Sequence, residues 1–301
     1  NQATPVTATP AVCVAMLGED RALTLDEVCA TVAPLARYLE ARGWPVAGGA
    51  DLTDRATVSQ TLHDLVGSGV LTCYSEGPTT VWGIGDDQHL IVAVYRNSAI
   101  HVLVMRAIAE LALLAIVQTP GATKRTGWEK ALAVRELLKF DFFFAGRDEF
   151  ADELWREFAI MTGRSHDRSA PLDTKDAERS LNESDLLVAH LVLRPFVDAY
   201  RVVAEELVNL GAGRDIDEQD LLTRCLRLGR QWSLQHCITE ESVSGEMFST
   251  AVKMARHRGL LDAEQPADEV AQRRAALVAE LEELQGSIGE LARTRRDSAQ
   301  V

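Results

Sequence analysis

The sequence predicts a mainly α fold, multi-helical, with one small winged-helix-like β-hairpin element. Three observations carry that expectation. Apolar residues recur at helical spacing over most of the 301 residues. Helix start and stop signals bracket those stretches repeatedly. Only two short strand-like runs, Val70 to Tyr74 and Thr80 to Ile84, face each other across a Gly/Pro turn, Ser75-Glu76-Gly77-Pro78.

Taken in order, Ala11 to Leu17 is a short apolar helix closed by Gly18. Thr24-Leu25-Asp26-Glu27 is a capping box, in which the Thr hydroxyl and Glu carboxylate satisfy reciprocal backbone donors. Behind it Leu25, Val28, Val32, Leu35 and Leu39 form one face, Pro34 introduces a bend, and Gly43 with Pro45 supplies the stop. A second helix runs from Asp54 to Val66 with Val58, Leu62 and Leu65 on one face. Helix, helix, hairpin is the outline of a winged-helix module.

Gln88 to Val117 is the stretch around which the chain is organised. Leu90 to Tyr95 reads as a strand, Tyr95-Arg96-Asn97-Ser98 as a polar junction, and Ala99 to Val117 as an apolar helix that Asn97 or Ser98 caps. The helix approaches the roughly 20 residues a bilayer span needs. It also carries His101, Arg106 and Glu110, and a central Arg alone costs about 2.5–3.5 kcal/mol on insertion scales. Arg106 and Glu110, four apart, pair on one face, so a buried core helix is expected.

Beyond it, Thr126-Gly127-Trp128-Glu129 reads as a second capping box, opening a helix that runs into Phe140 and Phe142 to Phe144. Asp148 to Met161 is helical and ends at Gly163. Polar, Pro-interrupted residues 164–180 divide the chain into a region 1–163 and a C-terminal helical block 181–301. That block holds Asp185 to Leu210, broken near Pro195, then Asp217 to Trp232, Gly245 to His257 and Ala267 to Arg293. On the last, Leu277, Leu281, Leu284 and Ile288 make a stripe for the body or for a partner helix.

Composition narrows the function classes. A net charge of −14 disfavours binding that rests on neutralising phosphates, and the polar face of residues 54–66 mixes Arg55, Gln60 and His63 with Asp54 and Asp64. Five dispersed cysteines without a C-x-x-C pair suit a reducing compartment, and seven dispersed histidines suggest no metal site. No signal peptide is visible, and an opening Asn in place of Met suggests a piece of something longer.

Tyr95-Arg96-Asn97 followed by Ile100-His101 resembles the YRN-x-x-IH signature in the C-terminal region of PlsB-type bacterial glycerol-3-phosphate acyltransferases. Further pieces match in register: TPVTATPAV (Thr4 to Val12), RALTLDEV (Arg21 to Val28), LLKFDFFF (Leu137 to Phe144), RDEFADEL (Arg147 to Leu154) and the pattern around Phe248 to Leu261. The resemblance implies acyl transfer from acyl carrier protein or acyl-CoA to the sn-1 hydroxyl of glycerol 3-phosphate. It implies a preceding catalytic domain as partner, a membrane surface, a peripheral location on the cytoplasmic face of the cytoplasmic membrane, no cofactor and no nucleic acid.

In that family an H-x-x-x-x-D motif holds the general base, in the half that precedes the matched region. The one formal match here, His257 to Asp262, falls where a helix C-cap is expected, so no catalytic residue is assigned. Tyr95, Arg96, Asn97 and His101 are expected as structural or domain-contact residues. Phe140, Phe142, Phe143 and Phe144, with Arg293, Arg295 and Arg296, are expected as membrane contacts. The alternative is a winged-helix transcriptional regulator with a helical C-terminal domain, and a helical interaction module with no enzyme attached is a third reading.

Overall fold

The computed structural model describes residues 5–19, 21–47, 51–163 and 172–299, excepting the side chains of 295–299. Helix α1 (Ala8–Met16) is buried from Pro10 to Met16, as a helix apolar all round must be. It packs on α2 (Leu25–Arg42), α3 (Arg55–Gly67) and α4 (His89–Gln118). The Thr24 capping box forms: Glu27 N donates to Thr24 Oγ1 at 3.3 Å, and Thr24 N donates to Glu27 Oε2 at 2.7 Å. Gly43 ends α2 in the left-handed region at φ 68°, which a residue with a Cβ adopts only at a cost. Asp54 caps α3 by accepting from Ala56 N and Thr57 N.

The hairpin is β2 (Leu71–Tyr74) against β3 (Val81–Ile84). A third strand, β1 (Leu23–Thr24), pairs antiparallel with β3, giving the order β1-β3-β2. This two-residue strand just before α2 was not expected. With it, the path α1-β1-α2-α3-β2-β3 follows the winged-helix connection.

The expected strand from Leu90 to Tyr95 is instead the first two turns of α4, which runs unbroken for 30 residues. Burial explains the difference. Val92, Ala93, Arg96, Ala99 and Ile100 face inward while Leu90, Ile91, Val94, Tyr95, Asn97 and Ser98 face outward, a helical period that overrides β-branched propensity. Neither Asn97 nor Ser98 therefore caps a helix; Ser98 Oγ donates back to the Tyr95 carbonyl at 2.7 Å. By length and composition α4 could cross a membrane, yet 78% of its most apolar stretch is buried within the fold.

Helix α5 (Lys124–Leu138) starts three residues earlier than expected, capped by Thr123, whose own N–H donates to Thr126 Oγ1 at 3.3 Å. It lies so close to α4 that a Cβ on Gly127 would come within 2.9 Å of Ile116 Cδ1. It ends at Leu138, leaving Phe140–Phe144 in a turn rather than on the helix, and α6 (Arg147–Thr162) follows. Of the stretch expected as a linker, 164–171 lies outside the described residues, and Thr174 onward is α7 (Thr174–Asn182).

Helices α8 (Ala189–Val192), α9 (Arg194–Leu210), α10 (Glu218–Leu234), α11 (Gly245–His257) and α12 (Ala267–Ala299) complete the chain. Pro195 marks the break between α8 and α9, in the first turn where its missing N–H costs nothing. The Leu277, Leu281, Leu284 and Ile288 stripe of α12 is buried, chiefly on α9. Arg274 fixes that packing by donating to the carbonyls of Leu260, Leu207 and Gly211.

Glu110 joins α4 to the start of α8. It pairs with Arg106 (3.2 Å) and accepts from the backbone N–H of Val188 and Ala189 at 2.8–2.9 Å, which caps α8. Arg106 reaches Ser184 Oγ and the Leu186 carbonyl. Removing one partner of such a fully buried pair leaves a charge uncompensated, so Glu110→Ala is expected to lower the unfolding free energy by about 3–5 kcal/mol in denaturant titrations at pH 8.

Candidate functional site

A cleft of about 930 Å³ opens between the end of α2, the middle of α4, the Phe140–Phe144 turn and α6. That volume lies in the range of small-molecule sites, roughly 300–1,000 Å³. Asn97, His101 and Met105 line it from α4, at the four-residue spacing that keeps side chains on one face. Phe142 and Phe144 form the apolar wall. Phe142 meets Phe196 edge-on at 4.8 Å, and Phe144 meets Phe150 at 5.8 Å. Charged residues line it as well: Arg42, Glu149, Glu153 and Arg156, of which the Arg42 side chain is buried.

The expected residues are thus partly brought together and partly dispersed. Asn97, His101, Phe142, Phe143 and Phe144 share the cleft. Phe142 and Phe144 pack inward, whereas Phe143 is 93% exposed. Phe140 stands apart, edge-on to His257 at 5.5 Å and beside Lys139. Arg96 turns away from the cleft into the core, where Nη1 donates to the Leu191 carbonyl at 3.1 Å and to Glu241 at 2.9 Å. Asn97 Oδ1 accepts from Arg96 Nε and Nη2 and so ties the cleft wall to that buried ion pair. Tyr95 is on the surface. His101 meets Trp44 edge-on at 5.7 Å, and burial lowers its pKa.

The family model for the C-terminal region of glycerol-3-phosphate acyltransferase matches residues 1–264. The chain belongs to this family. Proteins named "Putative acyltransferase plsB1" from Mycobacterium bovis and from Mycobacterium tuberculosis strains H37Rv and CDC 1551 are each 50% identical to it over 280 residues. The match covers 91% of this chain and 44% of each relative, so the chain spans less than half the length of these curated relatives. Membership supports the acyltransferase reading and not the winged-helix regulator. On the exposed polar face of α3, Arg55 pairs with Asp26, Gln60 donates to Asp64, and His63 lies edge-on to Trp82.

In this chain the formal H-x-x-x-x-D spans the end of α11 and the turn that follows. His257 is the last residue of α11 and its Nε2 lies 2.9 Å from Lys139 Nζ. Asp262 accepts from Glu264 N and Gln265 Nε2 in the following turn. Arg293 Nε donates to the Gly289 carbonyl, and the side chains of Arg295 and Arg296 lie outside the described residues. No group of three or more His, Cys, Asp or Glu among the described residues could hold a metal ion.

Several cleft residues escaped the sequence reading because their partners are remote. Arg42 pairs with Glu153 and, through Nε, with Glu157 at 3.1 Å, while Tyr38 Oη donates to Glu157 at 2.9 Å. Asp141 accepts from Tyr200 Oη at 2.5 Å, and burial raises its pKa to about 6 despite that bond. A folded-state pKa above the unfolded value means the native protein holds this proton more tightly. Asp141 therefore contributes most below about pH 4, and its contribution falls as pH rises through about 6. Between those limits wild-type stability relative to Asp141→Asn is expected to drop by about 3 kcal/mol, read from denaturation at a series of pH values.

Proposed function

We propose that this chain is the non-catalytic C-terminal region of a glycerol-3-phosphate 1-O-acyltransferase. The full-length protein transfers an acyl group from acyl carrier protein or acyl-CoA to glycerol 3-phosphate, and the product, lysophosphatidic acid, enters phospholipid biosynthesis. The observation that carries this reading is the family match over residues 1–264, in a chain that spans 44% of its relatives. General-base catalysis needs a base within hydrogen-bond reach of the substrate hydroxyl and an orienting partner on that base. His257 and Asp262 spend their hydrogen bonds on Lys139 and on the local turn, which supports assigning the chemistry to the preceding catalytic domain. Acyl transfer to glycerol 3-phosphate is expected from the natural full-length polypeptide and not from residues 1–301 alone. Activity in the shorter protein overturns the non-catalytic assignment, and inactivity of both overturns the function.

The region also contacts the cytoplasmic face of the membrane, as a peripheral surface. Phe140, 40% exposed, lies beside Lys139, which also pairs with Glu136 at 3.0 Å, so an apolar ring and a cationic group share one surface, a combination that docks on anionic lipid. Arg293, Arg295 and Arg296 add positive charge at the end of α12. Phe142 and Phe144 are committed to the core and contribute little. In co-sedimentation with vesicles containing anionic phospholipid, Phe140→Asp is expected to lower the bound fraction several-fold. Binding that is absent in the wild type, or unchanged in the variant, removes this contact.

A further inference from the structure

We infer that the cleft between α4 and the Phe140–Phe144 turn is the seat of the acyltransferase half of the full-length protein, a segment of which inserts between His101 and Phe143. The inference deepens the proposed function and rests on it for the identity of the occupant.

Buried polar side-chain atoms in folded proteins nearly always have a hydrogen-bond partner. Here Arg42 Nη1, Trp44 Nε1 and His101 Nε2 are all buried and have none among the described residues, although the three residues line one cleft. The Arg42 side chain is 5% exposed, so bulk water is a poor substitute for a partner. Two of these atoms are donors, and His101 Nε2 takes the role its tautomer leaves it. A polypeptide segment carries both carbonyls and N–H groups and satisfies either arrangement. The remaining charges of the cleft disfavour a compact anion: Glu149, Glu153, Asp141 and the adjoining Glu157 outnumber Arg42 and Arg156.

The apolar surface around the cleft is wider than a small ligand covers. Leu90, Ile91 and Val94 are 42–67% exposed on the first turns of α4. Val94, Asn97 and His101 follow at three- and four-residue spacing, so this row leads directly into the cleft. From Leu90 to His101 the helix rises about 16 Å. Phe143 stands on the opposite wall with 93% of its surface free, an aromatic anchor of the kind that concentrates binding energy at interfaces. Exposed apolar side chains gathered on one face beside an aromatic side chain are of the kind that a partner protein, a membrane or a ligand covers.

The path of the chain selects the occupant. Val6 N donates to the Pro45 carbonyl and Ala47 N to the Val6 carbonyl, so the chain joins the fold next to Trp44, at the rim of the cleft. The curated relatives carry more than half their length outside the matched part, and the matched family is a C-terminal region. A half that precedes the matched part would thus be tethered on the side of the molecule where Trp44 borders the cleft.

The test uses the full-length protein with p-benzoylphenylalanine replacing Phe143, and separately replacing Leu234, which is 84% exposed on α10. After irradiation, cross-links from position 143 to peptides outside these 301 residues, within one polypeptide, are expected, and none from position 234. Cross-links from 143 confined to residues 1–301, to a second copy or to co-purified lipid overturn the inference. Equal cross-linking from both positions overturns it too. Because cross-linking does not require turnover, a full-length protein that docks but transfers no acyl group leaves the seat standing and removes only the assigned activity.

Discussion

Helix α4 carries Arg96, Arg106 and Glu110 into the core, each at most 4% exposed. Taking such charges out of water costs several kcal/mol per ion, recovered only when geometry and hydrogen bonding are both good. The partners come from far along the chain: Leu191 and Glu241 for Arg96, Ser184 and Leu186 for Arg106, Val188 and Ala189 for Glu110. The segment 184–188 lies outside any helix or strand and is held in part by these side chains. The second half of the molecule consequently packs on α4 in one register, and α9, α11 and α12 build outward from it.

The same helix supplies one wall of the cleft from its other side. Asn97 connects the two, since its carboxamide oxygen accepts from Arg96 while its position faces the opening. Across the cleft, α6 presents Glu153 and Glu157 to Arg42 at the end of α2. A buried network of Tyr38, Arg42 and Glu157 thus sets the distance between the helices that bound the opening. Burial raises the pKa of Glu157 and Tyr38, as desolvation of acids requires, and the Arg42 guanidinium opposes both shifts.

Much of this fold was legible in the chain of residues. The Thr24 capping box, the Gly43 and Gly163 stops, the helix starts near Asp54 and Asp217, and the break at Pro195 are local chemistry, satisfied within a few residues of where they occur. Leu90 to Tyr95 misled because β-branched residues suit strands in general, whereas the pattern of their burial is set by what packs on them. The Thr126 box misled for a related reason: two threonines three apart can serve either end of the motif, and Thr123 took the cap. Of the cleft, Asn97, His101 and the phenylalanines stood out by residue type. Arg42, Trp44 and Asp141 did not, because each draws its significance from a neighbour remote in sequence.

By itself the sequence determined the helical class, most element boundaries and the membership of an acyltransferase C-terminal family, because periodicity, caps and ordered motifs are properties of adjacent residues. Only the tertiary structure decided that the YRN segment lies inside a helix, that Arg96 serves the core while His101 serves the cleft, and that Phe143 alone of its run stands wholly free. Those assignments depend on which side of a helix meets which distant segment, and long-range packing is what the local pattern of a chain does not encode.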